Sequence, residues 1–531
     1  MKINQLPVFC SIALLTACNH GNTSNVNTSQ APSANYALTN ANKANPEHIA
    51  IVYEVGPTRK YTNLQQVANL IQAGDTVYVD GAANYTGSIS FKNNGTADKP
   101  IRVIGVSVNS QRPIISADTK SNSNLISFYG NHYFFENFEV VGNMSKVAKT
   151  QMTNRGINQL SNYLTISHCI VHDARNGIMA SDQFSGNLTI EYSEIYANGY
   201  SEGEHNIYIA SDRVRVPDSV TRIMFNYIHD SKKGAGLKTR TSRNEIYYNR
   251  FENNAQSEVD MYGADLGEGT DPILDQAGNI TAYSSDNHIT QDELRKIDPS
   301  YAENYLREDT DFVGNLVISD NKVKSLTIGG DGGSGGPTRN GTSFGRYRFV
   351  NNTFINNYLP TNGDERIYTG QVKFGVGSLE FYNNIFYNSH GNNMVLYFNP
   401  YDANNDIHKT NSDLRWSNER QFIAKHNWFK TGSKLPAEFQ DNFYGTIPDF
   451  INLDSYQLLP DSTLLKDGTY DTVYTFEQPI YYSNIRGIHH EDKSFIHPLP
   501  LPQYAPIGKN TDLVPKEIST PDQENTPLGI L

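Results

Sequence analysis

The sequence predicts an all-β protein in which short parallel strands stack turn upon turn into a solenoid. Strand-like segments recur along most of the chain, and four of them, marked by residues 168, 193, 226 and 249, follow one another at steps of 25, 33 and 23 residues. Recurrence at about 20 to 35 residues is typical of β-solenoids, whereas a propeller needs four strands in each repeat of about 40 residues. The abundance of Asn, Gly, Tyr and Thr also suits short strands joined by polar turns.

The overall charge narrows the choice of partners. The 531 residues include 43 Lys and Arg against 56 Asp and Glu, which gives a formal net charge of −13. Nucleic acid is itself anionic, and a protein with this bulk charge is a poor partner for it. We therefore expect no nucleic-acid partner, and we expect the protein to be a monomer.

The first residues predict export and a lipid anchor. Lys2 precedes an apolar run at residues 8–15, which is too short to span a bilayer and is typical of a signal peptide. Residues 15–18 read Leu-Thr-Ala-Cys, which resembles the lipobox of bacterial lipoproteins, where the Cys becomes the lipidated N-terminus. The resemblance implies lipidation at Cys18, and Asn19 implies the outer membrane, at its periplasmic or its surface face. The alternative is an ordinary secretory peptide that is cut nearby.

Composition and pattern divide the chain into four parts. Residues 1–17 form the lipoprotein signal peptide, and residues 18–46 are rich in Asn, Ser, Thr and Ala without periodicity, which predicts a flexible tether. Residues 47–435 carry the solenoid, with an insertion at about 266–311 that lacks the coil pattern. Residues 436–531 are predicted to form the last coils and a Pro-rich tail that packs on the solenoid.

A short helix is predicted to cap the N-terminal end of the strand stack. Apolar residues at positions 64, 67, 68 and 71 have helical spacing. Such a helix shields the open end of a solenoid. The module that it begins, residues 61–104, resembles the start of right-handed parallel β-helix repeat proteins of the pectin-lyase-like superfamily, which includes polysaccharide lyases. The resemblance implies that the solenoid is a right-handed parallel β-helix.

An Asn or a similar residue marks one corner of successive coils. Asn is expected there because it tolerates a left-handed backbone and because stacked Asn side chains hydrogen-bond one another. Cys169 lies in one of these repeats, and we expect it to be an inert structural thiol. The repeats are residues 166–170, 190–195, 224–228, 247–251, 318–323, 350–354, 382–386 and 425–429.

Alignment of the coils after this corner predicts a polar patch on the outer wall. Lys238 and Arg240 alternate with apolar residues, so both side chains leave the same face of a strand. Residues of neighbouring coils that share a column lie about 4.8 Å apart and are in contact. The inward column is predicted to contain Ile178, Ile207, Leu237 and Val259. The outer patch is predicted to contain Tyr208, Lys238, Arg240, Asp260 and Tyr262, with Glu204 and His205 just before it.

This patch suits β-elimination or epimerisation on an acidic, uronate-containing polysaccharide. A cation or a metal must neutralise the sugar carboxylate, and a Lys, Tyr or His must remove the C5 proton. Arg240 beside Lys238 favours the neutral amine, which is the form that accepts a proton. Aromatic faces support sugar rings. We assign catalysis to Lys238, Arg240, Tyr208 and His205, and substrate binding to Asp260, Tyr262 and Glu204.

The same resemblance bears on cofactors. Polysaccharide lyases of this fold place Lys and Arg on a coil wall, and the stretch around Lys238 is similar in type. Calcium is the cofactor that such a resemblance implies, but no cluster of Asp and Asn in this sequence repeats a lyase calcium site. We therefore assign no metal ligand and leave the cofactor open.

Two other functions remain open on the residues alone. Lys238 beside Asp260 also fits a cross-coil ion pair, worth about 0.2–1 kcal/mol when exposed, on a lipoprotein that binds glycan or envelope polymer without chemistry. A glycoside hydrolase needs a pair of carboxylates at a set separation. The carboxylates in this region are Glu202, Glu204, Glu258, Asp260 and Asp265.

Two His-Asp pairs also recur. Residues 172–173 and residues 229–230 have the same dipeptide, and counting from the corners places the two pairs one column apart. We interpret them as polar corners.

Overall fold

Three long parallel sheets form a right-handed parallel β-helix in the computed structural model, as the sequence predicts. The helical-looking piece of the insertion, Asp265 and Cys18 lie outside the described residues. The structure describes residues 48–118, 123–181, 185–211, 216, 219–241, 243–263, 271–274, 280–284, 309–320, 324–329, 346–359, 367–372, 378–390, 393–398, 421–449, 456 and 458–465.

Sheet 1 has thirteen strands, which pair in parallel with one strand from each successive coil. Alternation of apolar and polar residues directs every second side chain into the core, as in Ile101–Val106, where Ile101 and Val103 are fully buried. Its strands are Val52–Val55, Thr76–Asp80, Ile101–Val106, Tyr133–Glu136, Asn162–Ser167, Gly186–Glu191, Val220–Met224, Arg243–Tyr247, Asp309–Val313, Arg346–Val350, Ser378–Tyr382, Gln421–Lys425 and Phe439–Gln440.

Sheet 2 has twelve shorter strands, which follow the corner at the end of sheet 1. Near the C-terminal end its outer face is apolar, and Tyr456, Leu458 and Leu464 pack against it. Its strands are Asn84–Thr86, Ile114–Ser116, Glu139–Val141, Ile170–His172, Glu194–Tyr196, Tyr227–His229, Arg250–Glu252, Leu316–Ser319, Thr353–Asn356, Ile385–Asn388, Trp428–Lys430 and Phe443–Gly445.

Sheet 3 has ten strands and carries the predicted patch. The predicted inward column is confirmed, because Ile178, Ile207, Leu237 and Val259 are successive register partners and all are fully buried. Its strands are Ile89–Phe91, Ile126–Phe128, Arg155–Gln159, Asn176–Ala180, Ile207–Ala210, Leu237–Arg240, Val259–Tyr262, Lys324–Gly329, Ile367–Val372 and Asn393–Phe398.

The predicted capping helix is present at Leu64–Ala68, and it buries Leu64, Val67 and Ala68 against the end of the core. It begins at a capping box: Asn63 Oδ1 accepts a hydrogen bond from the N–H of Gln65 at 2.8 Å, and the Gln66 side chain accepts from the N–H of Asn63 at 3.1 Å. The helix satisfies its own first N–H groups and closes the N-terminal end of the stack.

A ladder of asparagines runs down the corner between sheets 1 and 2. Each side-chain amide donates to the Oδ1 of the next at 2.9–3.1 Å, so stacking of the Asn side chains is confirmed. The chain of hydrogen bonds along this corner begins at residue 169. The N–H of Cys169 donates to Ser193 Oγ, and the N–H of Ser193 donates to Asn226 Oδ1. The asparagines of the ladder are Asn226, Asn249, Asn315, Asn352, Asn384 and Asn427.

Our expectation that the ladder Asn is left-handed is wrong, because the residue before it has the positive φ. For example, φ is 56° at Phe225 and 55° at Tyr248. The first step of the repeat is corrected for the same reason. His168 is the left-handed residue, with φ of 52°, and Cys169 is the corner, which makes the step to Ser193 24 residues instead of 25.

Four smaller elements are not part of the three sheets. Asp271–Leu274 and Ile280–Ser284 form an antiparallel pair, and single 3₁₀ turns span Lys149–Gln151 and Thr463–Leu465. Within the part of the chain that the structure describes, no helix is long and apolar enough to cross a membrane.

Candidate functional site

A second, shorter asparagine ladder supports the site from behind. Asn198 donates to Asn206 Oδ1 at 3.0 Å, Asn206 donates to Asn254 Oδ1 at 2.9 Å, and Asn254 donates to Glu258 Oε2 at 2.7 Å. All four residues are fully buried, and Ser319 Oγ donates to the remaining oxygen of Glu258 at 3.0 Å. The ladder fixes the corner from which the strands of sheet 3 start.

Two glycines let the coils approach closely at this corner. A Cβ on Gly236 would lie 2.6 Å from Asn254 Nδ2 and 2.8 Å from the carbonyl oxygen of Glu258. A Cβ on Gly234 would lie 2.1 Å from the carbonyl oxygen of Glu204. The absence of a Cβ at Gly234 and Gly236 therefore allows the backbones of neighbouring coils to come close together.

The structure brings the predicted patch together. Tyr208, Lys238 and Asp260 are successive register partners, in the column next to the inward one. Their neighbours Arg240 and Tyr262 are only 4% and 6% exposed, whereas Tyr208 and Lys238 are half-buried. The wall is therefore sunken, with Tyr208 and Lys238 as its accessible members.

Aromatic rings stabilise both cations of the patch. Lys238 Nζ lies 5.0 Å from the ring centroid of Tyr208 and 5.1 Å from that of Tyr262. The guanidinium carbon of Arg240 lies 5.4 Å from the Tyr262 ring, and Arg240 Nη1 donates to the carbonyl oxygen of Gly263 at 3.1 Å. Cation–π contacts of this kind hold a positive charge where water is scarce.

Asp260 is buried and accepts a hydrogen bond from Ser257 Oγ at 2.6 Å. Burial raises the pKa of Asp260, but the charge of Lys324, the hydrogen bonds from Ser257 and Thr327, and the charge of Lys238 outweigh burial and lower it. The carboxylate is therefore ionised at neutral pH. Lys324 is a residue of this wall that the coil alignment missed.

His205 is 1% exposed and lies beneath the cations. Its backbone N–H donates to Asn176 Oδ1 at 3.0 Å, and its ring contacts Tyr208 edge to face, with centroids 5.4 Å apart. Burial first, and then the charges of Lys238 and Arg240, together lower the pKa of His205 to about 3 against the opposing effect of Asp260. The imidazole is therefore neutral.

Of the carboxylates proposed for a glycoside hydrolase, Glu204, Glu258 and Asp260 are engaged in the framework, whereas Glu202 is exposed. Glu204 accepts from Arg175 Nε at 2.6 Å and from the N–H groups of Tyr200 and Ser201 at 3.1 Å each. Glu258 ends the short asparagine ladder. In these positions both carboxylates hold turns, and substrate binding by Glu204 stays a prediction.

The two His-Asp pairs share one column, so the count that placed them one column apart is wrong. Their interpretation as polar corners fits the structure, because Asp173 and Asp230 follow the ends of sheet 2 strands with φ of 63° and 46°. His172, Tyr196 and His229 are successive register partners, and their rings stack at 4.8 and 5.0 Å. His172 Nε2 lies 3.2 Å from Glu139, and His229 lies 3.1 Å from Glu194. This stack is on sheet 2, away from the patch.

Neither a reactive thiol nor a metal cluster is found in the described part of the chain. Cys169 is fully buried, and burial raises the pKa of its thiol to about 12, which fits a structural thiol. The described residues contain no group of three or more His, Cys, Asp or Glu side chains that could hold a metal ion.

Comparison with known proteins gives distant structural similarity alone. No family model matches the chain, and no curated protein matches it. A crystal structure of pectate lyase Pel9A is 13% identical with a TM-score of 0.39, over 80% of this chain and 94% of that one. An alginate lyase from Paenibacillus sp. str. FPU-7 is 14% identical with a TM-score of 0.37, over 63% and 96%. A rhamnogalacturonan lyase is 14% identical with a TM-score of 0.37, over 76% and 91%.

Proposed function

We propose that this protein acts on an acidic, uronate-containing polysaccharide by β-elimination or epimerisation at the wall of sheet 3. One observation carries the proposal: Lys238 and Arg240 share one sunken face, where Tyr208 and Tyr262 flank the Lys238 ammonium at 5.0 and 5.1 Å. Two cations and two aromatic rings form a surface that suits an anionic sugar, since the cations attract the carboxylate and the rings support the pyranose.

Each patch residue has a role in this reaction. Arg240, held by Gly263, neutralises the sugar carboxylate, and the low exposure of its side chain strengthens that interaction. Lys238 must first release its ammonium proton, which the neighbouring charge of Arg240 favours, and the neutral amine then takes the C5 proton. Tyr208, the other accessible member, supplies a proton on the far side of the reacting carbon or at the leaving oxygen.

The two reactions share their first step. Removal of the C5 proton leaves an electron pair that the neutralised carboxylate stabilises. In β-elimination this pair forms the C4–C5 double bond, the C4–O bond breaks, and the leaving oxygen takes up a proton. In epimerisation a proton returns to C5 from the opposite face and the glycosidic bond stays intact. The patch supports both outcomes.

The buried carboxylate of Asp260 favours a second candidate function. Asp260 is flanked by Lys238 and Lys324, and its lowered pKa reflects both cations. A wall whose charges are balanced in this way can also bind an acidic glycan without catalysing a reaction. In that case Lys238 stays protonated and acts as a ligand for the carboxylate instead of a base.

We also propose that the protein is a lipoprotein of the bacterial outer membrane, anchored through Cys18. The proposal is supported by the Leu-Thr-Ala-Cys segment after an apolar run, and by Asn19. The tether of residues 18–46 then gives the solenoid reach from the membrane to a polymer of the envelope or its surroundings.

A substrate panel tests the proposed function. The mature protein is incubated with alginate, pectate and glycosaminoglycans, and three readouts are followed: absorbance of the unsaturated product, reducing ends, and exchange of the C5 proton in heavy water. Absorbance identifies elimination, exchange without cleavage identifies epimerisation, and reducing ends without absorbance identify hydrolysis. Binding without any of these signals supports the non-catalytic candidate.

A further inference from the structure

His205 is held from both neighbouring coils, by one hydrogen bond to its ring and one from its backbone. The N–H of Ala235 donates to His205 Nδ1 at 2.9 Å from the coil below, and the His205 backbone is held by Asn176 on the coil above. A Cβ on Gly234 would come within 2.6 Å of Nδ1, so the chain passes very near this side of the ring. The orientation of the imidazole is therefore set by the framework.

The donor of this hydrogen bond determines the tautomer. A backbone N–H can only donate, so Nδ1 must accept and carries no proton. The ring is neutral, because burial and the nearby Lys238 and Arg240 disfavour its protonation. The single ring proton of His205 is therefore on Nε2.

This Nε2–H group is buried and has no hydrogen-bond partner in the described part of the chain. Leaving a buried donor unsatisfied costs free energy, and such a group in a native structure points to a ligand or a function. The neighbours of this N–H group restrict the kind of ligand that it can bind. Lys238 and Arg240 make the surroundings positive, so an anionic oxygen is the acceptor that they favour. Tyr208, which is half-buried, is the accessible member of the wall that contacts the ring.

We propose that His205 binds substrate as a hydrogen-bond donor, through Nε2–H to an oxygen of a uronate carboxylate, and does not serve as the base. The assignment rests on the proposed function, since it places an acidic sugar on this wall. It gives the carboxylate two contacts of different kinds, the charge of Arg240 and the directed N–H of His205. It also leaves Lys238 and Tyr208 as the groups that move protons.

Two substitutions separate the functions of the two ring nitrogens. In His205→Asn, the amide oxygen takes the place of Nδ1 and keeps the bond to Ala235, but no donor reaches the place of Nε2. In His205→Gln, the amide nitrogen reaches the place of Nε2. We expect kcat/KM to fall at least about tenfold in His205→Asn and within about threefold in His205→Gln, because a hydrogen bond to a charged group is among the stronger ones.

Equal loss in both variants with an altered pH profile overturns the proposal, because it assigns His205 as the base. Equal retention in both variants also overturns it, because it leaves the ring a structural role. The pH dependence of kcat/KM in His205→Asn is expected to keep the shape of the wild-type profile, since His205 does not titrate in the working range.

A readout that needs no turnover keeps this inference separate from the proposed function. In protein labelled with ¹⁵N-histidine, the His205 signals, assigned by their absence in His205→Asn, are expected to show a neutral ring protonated at Nε2 from about pH 5 to 8. Sodium glucuronate is expected to shift the Nε2–H signal even if no polymer is turned over. A ring that titrates in this range, a proton on Nδ1, or no shift at saturating glucuronate overturns the proposal.

Discussion

Asp260 is the register partner of Lys238 on the next strand of sheet 3, and it is buried in that position. Lys324 stands on the following coil, so the carboxylate lies between two lysines. A buried ion is tolerated only when partners and hydrogen bonds compensate its desolvation, and Ser257 supplies one of those bonds. The cation-rich wall is therefore a balanced part of the fold and not a chance cluster of surface charges.

Gly236→Ala is expected to destabilise the protein by about 1–3 kcal/mol, because the new methyl group has no room beside Asn254 Nδ2 and the Glu258 carbonyl oxygen. Urea unfolding followed by fluorescence measures the change. The matched control is Gly203→Ala, where a Cβ meets nothing within 4 Å, and where the change should stay within about 0.5 kcal/mol. Equal stability of the two variants would show that the corner can relax.

Asn315→Ala is expected to lower stability by about 1–3 kcal/mol, because it leaves buried groups of the ladder unsatisfied. Asn315 Oδ1 accepts from both the N–H and the side chain of Asn249, at 2.9 and 3.0 Å. Thermal unfolding tests this, with the exposed Asn84→Ala as control. A loss of stability no greater than that of Asn84→Ala would mean that the asparagine ladder does not stabilise the fold.

The free energy of unfolding should depend on pH through the ionisation of His229. Burial lowers the pKa of His229, but its hydrogen bonds to Glu194 and Asp230 outweigh burial, and the net pKa is raised. The stabilisation is therefore fully present below the unfolded pKa of about 6.5 and is lost as pH rises through the folded value. His229→Gln should cost more stability at acidic than at alkaline pH, as measured by urea unfolding. The pH-dependent contribution should shrink in Glu194→Gln, where only the contact with Asp230 remains. A pH-independent cost of His229→Gln in both backgrounds would refute the ion-pair account.

Cys18→Ala is expected to move the protein from the membrane fraction to the soluble fraction and to abolish incorporation of labelled palmitate, because the proposed anchor needs the Cys18 thiol as its attachment site. Cys10→Ala is the control, since it leaves residues 15–18 intact, and it should remain in the membrane. Release of both variants, or of neither, would remove the basis for the anchor.

Much of the fold could be predicted because strands obey a strict period of two. Once one inward residue such as Leu237 is identified, the outward position of Lys238 follows, and parallel stacking supplies Tyr208 and Asp260. The corner was harder to place. Pairs such as Asn351-Asn352 conceal which of the two is left-handed, and taking His168 instead of Cys169 as the corner shifted the His172 column by one.

Other features of the site could not be predicted from residues that are close together in the sequence. Lys324 follows Asp260 by 64 residues, across the insertion, so period counting does not connect them. The ladder of Asn198, Asn206 and Asn254 has unequal spacing, because the intervening turns differ in length. The neutral state of His205 depends on burial and on charges from other coils, which a sequence does not display.

The most direct test of the central claim is the rate of unsaturated-product formation by Lys238→Ala on the polymer that the wild-type protein cleaves. Loss of a general base reduces the rate by about 10²–10⁴-fold, so we expect a fall of that size. Lys233→Ala, an exposed lysine of the same stretch, should leave the rate unchanged. If the polymer is instead epimerised, exchange of the C5 proton replaces absorbance as the readout. A wild-type rate in Lys238→Ala would contradict the assignment of Lys238 as the base.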